Sequence, residues 1–221
     1  MDLIEAIRTR RSIRQFKPDE VSKEILIQLI DISRWSPSGS NTQPWEFAIL
    51  GGKTLEEVNK DIINRRKDSP GHPDIPYPPM PEPYRTRQKE VLQTMNAYQH
   101  PRDAQGLRTK NEADRNSEGV FFGAPNAIIV YTDREICPRA FLGLGMIAQT
   151  ISLAALHFGL ATCIMSMVTY WPEVYREKNI IPENKLIAFG IAIGYPDMEA
   201  SVNNFPRTRE PLDLFVRWFG I

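Results

Sequence analysis

Apolar positions along the chain switch between helical and strand periods, and each switch marks an element. Leu3, Ile4 and Ile7 share one side of a short helix over residues 2–9. Lys17-Pro18-Asp19 interrupts it, and Ser22 offers an N-cap for a second helix, in which Ile25, Leu26, Leu29 and Ile30 recur at helical spacing and Val21 and Leu26 can staple the start. That helix should end near Trp35, because Pro37 follows. The run from Trp45 to Leu50, closed by Gly51-Gly52, reads as a strand. Thr54-Leu55-Glu56-Glu57 reads as a capping box opening a third helix, with Leu55, Val58 and Ile62 on its apolar face.

The second half is more continuously apolar. Residues 127–131 suit a central strand, 140–158 a long helix closed by Gly159, 160–167 a short apolar segment, 172–178 a helix with Pro172 at its first position, and 186–193 a last strand. Leu212, Leu214, Phe215, Val216, Trp218 and Phe219 form an apolar tail that needs a surface to cover. The helix at 140–158 carries no formal charge and approaches membrane-spanning length, but Gln149, Thr150, Ser152 and His157 favour a buried core helix, so no membrane partner is expected. Residues 65–119 differ: Pro70, Pro73, Pro76, Pro78, Pro79, Pro81 and Pro83 punctuate a polar stretch with one predicted helix over 85–98. It is too poor in apolar residues for a core of its own, and is expected to be a lid-like insertion in a single domain spanning 1–221.

Composition narrows the classes. The chain has 221 residues, 42% of them apolar, enough for one sizeable core. Lys and Arg number 27 against 27 Asp and Glu, so the formal charge is zero and no nucleic-acid footprint is expected. Cys137 and Cys163 are far apart without a CxxC spacing, which fits a reducing cytoplasm. His72, His100 and His157 show no ligand spacing, and no metal is expected.

Charge is concentrated locally instead. Arg10, Arg11 and Arg14 flank Ser12, a set of planar forks and one hydroxyl suited to phosphate oxygens, although cations at a helix C-terminus are also favoured by the macrodipole alone. A polar loop, Ser36-Pro37-Ser38-Gly39-Ser40-Asn41-Thr42-Gln43-Pro44-Trp45, follows about one helix later, and Arg207-Thr208-Arg209-Glu210-Pro211 adds two guanidiniums near the end. There is no Gly-x-Ser-x-Gly elbow, no Walker A loop and no paired metal ligands; Gly143-Leu144-Gly145 lies within a helix rather than at a strand-to-helix turn. An enzyme built this way needs a cofactor for its chemistry.

Together, Arg-Arg-Ser-x-Arg-x-Phe, Ser-Pro-Ser-x-x-Asn-x-Gln-Pro-Trp, Gly-Tyr-Pro and Arg-x-Arg-x-Pro-Leu, in this order over nearly the whole chain, resemble the FMN-dependent nitroreductase family. The resemblance implies an α+β fold with a mixed, mainly antiparallel central sheet flanked by helices, in an intertwined homodimer. It implies FMN as cofactor, NADH or NADPH as electron donor, and ping-pong reduction of a small nitroaromatic, quinone or related acceptor. A flavin-dependent reductive dehalogenase and a non-catalytic flavin-binding dimer are the alternatives. By the same resemblance Arg10, Arg11 and Ser12 sit at the phosphate and ribityl chain, with Arg207 and Arg209 closing over the phosphate. Arg14 stands near flavin N1 and O2, where a unit charge about 4 Å from the reduced anion is worth about 4 kcal/mol at an effective dielectric of about 20. Pro37, Ser38, Gly39 and Asn41 would reach the flavin of the other subunit, with Gln43 and Trp45 structural. The backbone at Met165 and Ser166 would present a donor to N5, and the flavin itself carries the chemistry, with no catalytic side chain. Tyr77, Tyr84 and Tyr98 are candidates for contact with an aromatic acceptor, and substrate choice is expected to reside in the insertion.

Overall fold

The structure, a computed structural model, describes residues 2–99 and 119–221. The insertion expected at 65–119 is thus covered only in part; residues 100–118, His100 among them, lie outside the described residues. The main elements are α1 (Leu3–Thr9), α2 (Lys23–Ser33), β1 (Glu46–Gly51), α3 (Gly52–Asp68), α4 (Tyr84–Gln99), β2 (Asn126–Asp133), α5 (Phe141–His157), β3 (Ala161–Met165), α6 (Glu173–Glu177) and β4 (Lys185–Gly194).

Strand alternation builds two apolar layers on a single sheet. Ile128 and Val130 of β2 point into one layer with Leu29 of α2, Trp45, and Leu144, Ile147 and Ile151 of α5. Ala127 and Ile129 point into the other, with Leu55, Val58 and Ile62 of α3 and Trp171, Val174 and Tyr175 around α6. Buried on both faces, β2 is as continuously apolar as its central place demands. The sheet order is β1-β2-β4-β3, and every strand pairing is antiparallel. The parallel component of the expected mixed sheet reduces to one bridge, Ser12 beside Thr162 on the outer edge of β3.

Local signals hold in most places. Asp2 caps α1, Ser22 Oγ accepts from Ile25 N at 3.3 Å to cap α2, and Gly159 takes φ +70° just beyond α5. The capping box at Thr54 does not form. Because β1 runs straight into α3, the helix begins at Gly52, its N-cap Gly51 makes no side-chain bond, and Thr54 and Glu57 already lie inside. The insertion likewise starts later than expected, since α3 continues to Asp68.

The long helix α5 is buried on one face only, through Gly143, Leu144, Ile147, Ala148, Ile151, Ser152 and Ala155. Its other face leaves Leu142 68% and Met146 43% exposed. By length and composition residues Pro138–His157 could cross a membrane, yet the packed face makes α5 the core helix expected from the sequence. The start of the insertion is pinned by Asp74, whose carboxylate accepts from Arg176 Nη2 at 2.6 and 2.8 Å, Arg134 Nη2 at 2.9 Å and Ile187 N at 3.0 Å.

Candidate functional site

The segment after α1 runs along the open edge of β3. Ile13 N donates to Thr162 O at 3.0 Å, and Lys17 N donates to Tyr195 O at 2.9 Å. This attachment buries Ile13, Gln15 and Phe16 while leaving Arg10, Arg11, Ser12 and Arg14 on the outer side. The C-terminal segment returns over the same edge. Asn203 Oδ1 accepts from Arg14 N at 2.7 Å, and Arg207 Nη2 donates to Ser12 O at 3.1 Å. Stretches almost two hundred residues apart are thereby closed on each other.

Between them lies a cavity of about 620 Å³ lined by Arg8, Arg10, Arg11, Arg14, Arg207 and Arg209, with Thr9 and Ser12 and no carboxylate. None of those arginines pairs with a carboxylate of the described residues; Glu210, next to Arg209, is held by Arg87 Nε at 2.9 Å. Arg14 and Arg207 are instead carried by an aromatic face, with guanidinium carbons 5.8 and 3.7 Å from the ring centroid of buried Phe205. Burial, then Arg11, Arg14 and Arg10, draws the Arg207 pKa down to about 10. Burial and Arg209 lower that of Arg10. Below these cations, burial outweighs their pull and raises the pKa of the Cys163 thiol. Clustered cations stacked on carbon, short of counter-charge and partly desolvated, form a receptor for a multivalent anion, and planar forks suit phosphate best.

Six site residues expected from the sequence therefore meet: Arg10, Arg11, Ser12, Arg14, Arg207 and Arg209. Met165 closes β3, three residues past Thr162 or about 10 Å at strand rise, and Ser166 follows it just beyond the strand. Met165 pairs with Gly190 of β4, whereas Ser166 leaves the strand in a helical conformation, φ −91° and ψ −29°, at the start of a short 3-10 turn. Ser166 is the exposed member of the pair.

Pro37, Ser38, Gly39 and Asn41 lie outside this cavity. Their loop holds Ser40, Asn41 and Gln43 at φ 52°, 56° and 46°, left-handed values that disfavour side chains, fastened by Gln43 N donating to Ser38 Oγ at 2.9 Å. The loop lies on the start of α5, where a Cβ added to Gly143 would stand 3.2 Å from Pro44 Cγ and 3.3 Å from Ser38 Cβ. Trp45 is in the core as expected, whereas Gln43 is exposed and its side-chain amide donates to Asn41 O within the loop. Tyr77, Tyr84 and Tyr98 do not line the arginine cavity: Tyr84 lies under Arg87, and Tyr98 packs 6.4 Å from Phe205.

Sequence reasoning missed Ile7, Arg8, Thr9, Asn204, Phe205 and Pro206 as lining residues, and also Val91, which α4 brings to the cavity. Arg8 stood two positions before the arginine motif, and Asn204 to Pro206 directly precede Arg207, so nearness to the motifs was their only signal; Val91 carried none.

A profile described as Nitroreductase family matches residues 7–195. The chain belongs to the nitroreductase family. This family member is 28% identical over 223 residues to a 4-nitrobenzoate reductase of Pseudomonas putida, covering 99% of this chain and 96% of that protein. It is 29% identical over 218 residues to a chloronitrobenzene nitroreductase of Comamonas testosteroni, covering 95% and 93%. Its fold matches the crystal structure of an FMN and NADPH-dependent nitroreductase, NfnB from Sphigopyxis sp. strain HMH, with a TM-score of 0.86, 27% identity and full coverage of both chains.

Proposed function

We infer that this chain is an FMN-dependent oxidoreductase that uses NADH or NADPH to reduce nitroaromatic, quinone or related acceptors. The observation that carries the reading is the cavity with guanidiniums of Arg8, Arg10, Arg11, Arg14, Arg207 and Arg209 and no acid, beside the open edge of β3. Family membership and relatives named for nitroaromatic reduction support it.

The donor set fits the cofactor. Arg10, Arg11, Ser12, Arg207 and Arg209 hold its phosphate, and Arg14 supplies positive charge on the side toward the ring. The backbone at Met165 and Ser166, where β3 ends, offers an N–H to the ring. FMN, when bound, supplies the two-electron chemistry between nicotinamide and acceptor. The protein's part is to bind, orient and tune, and no side chain acts as nucleophile.

The active form is a homodimer. Apolar surface left open on α5, at Leu142 and Met146, and on the tail, at Trp218, Phe219 and Ile221, is covered by the second copy. Pro37, Ser38, Gly39 and Asn41 then face the partner's flavin. The insertion at 65–119 acts as the lid that selects the acceptor, and the enzyme works in the cytoplasm.

The visible spectrum of the purified protein, taken anaerobically before and after NADH or NADPH, tests the reading. Flavin absorbance should bleach and return on adding 4-nitrobenzoate or a quinone. Flavin that never bleaches with either nucleotide would leave a binding protein, and failure to take up FMN would overturn the whole assignment.

A further inference from the structure

Behind the wall of the arginine cavity sits a residue whose side chain does not line it. Asn203 is fully buried, at 0% exposure, and every polar group of its side chain is used. Its Oδ1 accepts from Arg14 N at 2.7 Å, and its Nδ2 donates to Gln15 O at 2.8 Å and to Asp197 O at 2.7 Å. Its own carbonyl accepts from Arg207 Nη1 at 2.8 Å. One residue thus ties the N-terminal arginine stretch and the turn after β4 through its side-chain amide, and the C-terminal arginine stretch through its backbone carbonyl.

We propose that Asn203 is the positioning residue that sets the register between the two arginine stretches, and so determines how tightly the site grips a phosphate. The inference rests on the FMN reading above. Nothing else among the described residues makes all of these connections. Arg10, Arg11 and Arg14 follow α1, whereas Arg207 and Arg209 lie on a segment without helix or strand of its own between short turns. Phosphate recognition by forked donors depends on angle as well as distance, so a small slip of one segment against the other loses bidentate geometry without moving either segment far. Phe205 strengthens the same unit: two residues beyond Asn203, it supports Arg14 and Arg207 on one ring. Only an amide meets the requirement at 203, because the site needs one acceptor and two donors within a single buried side chain.

Riboflavin gives the discriminating measurement, since it shares the ring and ribityl chain of FMN and lacks the phosphate. Apoprotein is titrated with FMN and with riboflavin for the natural chain, Asn203→Ala and the isosteric Asn203→Asp, which keeps the acceptor for Arg14 N and loses both donors. The expected result is a dissociation constant for FMN raised about tenfold or more in both variants, with that for riboflavin changed less than about twofold. In Asn203→Ala/Arg207→Ala the loss should be smaller than the product of the two single losses, because Asn203 acts through Arg207. Equal weakening of both flavins, full additivity, or unchanged FMN affinity in a folded variant would overturn the proposal. So would failure of both variants to fold, which would make Asn203 a residue of the fold alone. A natural chain that binds neither flavin refutes the FMN reading instead, so the two failures are distinguishable.

Discussion

Arg207 donates to Asn203 O, Phe205 O and Ser12 O, stacks on Phe205, and still has its pKa drawn down to about 10 by burial and by its arginine neighbours. A base whose folded pKa lies below its unfolded value costs stability in full below the folded value, and the cost fades as pH climbs toward the unfolded one. Without a counter-anion the cluster works against the fold at neutral pH, and a phosphate dianion would relieve it. Arg207→Ala should raise the dissociation constant of FMN about 10- to 100-fold, the range for charge-assisted bonds, while the melting temperature of the apoprotein stays nearly unchanged. Titration calorimetry alongside thermal denaturation reads both. For Asp74 the sign is opposite. Burial raises its pKa, but bonds from Arg176, Ile187 N and Arg134 together outweigh it, and the net shift is downward. Its contribution is whole above the ordinary aspartate value near 3.9 and is lost as pH falls through the lower folded value. Asp74→Asn should cost about 3 kcal/mol in urea unfolding at pH 7, as loss of one partner of a buried ion pair does, with the difference shrinking below pH about 3.9.

The start of α5 and the Ser38 loop form a single working part. Gly143 lets the loop approach the helix to side-chain contact, and left-handed residues 40, 41 and 43 hold it in a shape that relaxed backbone would leave. Gly143→Val adds two methyls where a single Cβ already stands 3.2 Å from Pro44. The loop must move outward. If residues 37–41 face the partner's flavin as proposed, the protein should keep its fold but lose about tenfold in FMN affinity; flavin retained through gel filtration checks this. Elements of this kind explain what could be read in advance. Arginine motifs and the Ser-Pro-Ser loop are short strings whose chemistry is local, and strands such as β2 announce themselves by unbroken apolar runs. Asn203 and Phe205 carry no such mark, since their value comes from contacts to residues about 190 positions away. Thr54 shows the converse: a correct capping string fails because β1 and α3 share a boundary that only the folded chain displays.

For the molecule as a whole, the open question is what covers its apolar surface. The exposed face of α5, the helix α1 with Leu3, Ile4 and Ile7, and the tail with Trp218, Phe219 and Ile221 are too extensive to be left to water. The Ser38 loop adds a functional reason for a second copy, being displaced from the arginine cavity of its own chain while carrying the strain typical of binding segments. If one surface serves both assembly and cofactor binding, the two must fail together. Leu142→Glu with Met146→Glu places charge on the exposed face of α5, outside the lining of the arginine cavity, and leaves the packed face with Leu144, Ile147 and Ile151 untouched. Burying those carboxylates in an interface costs several kcal/mol, enough to shift a dimer to monomer at micromolar concentration. Analytical ultracentrifugation should then show a folded monomer whose FMN affinity has dropped at least tenfold although every arginine is present. A monomer that holds FMN as tightly as the natural chain would mean that one chain completes the site, and the Ser38 loop would need another role.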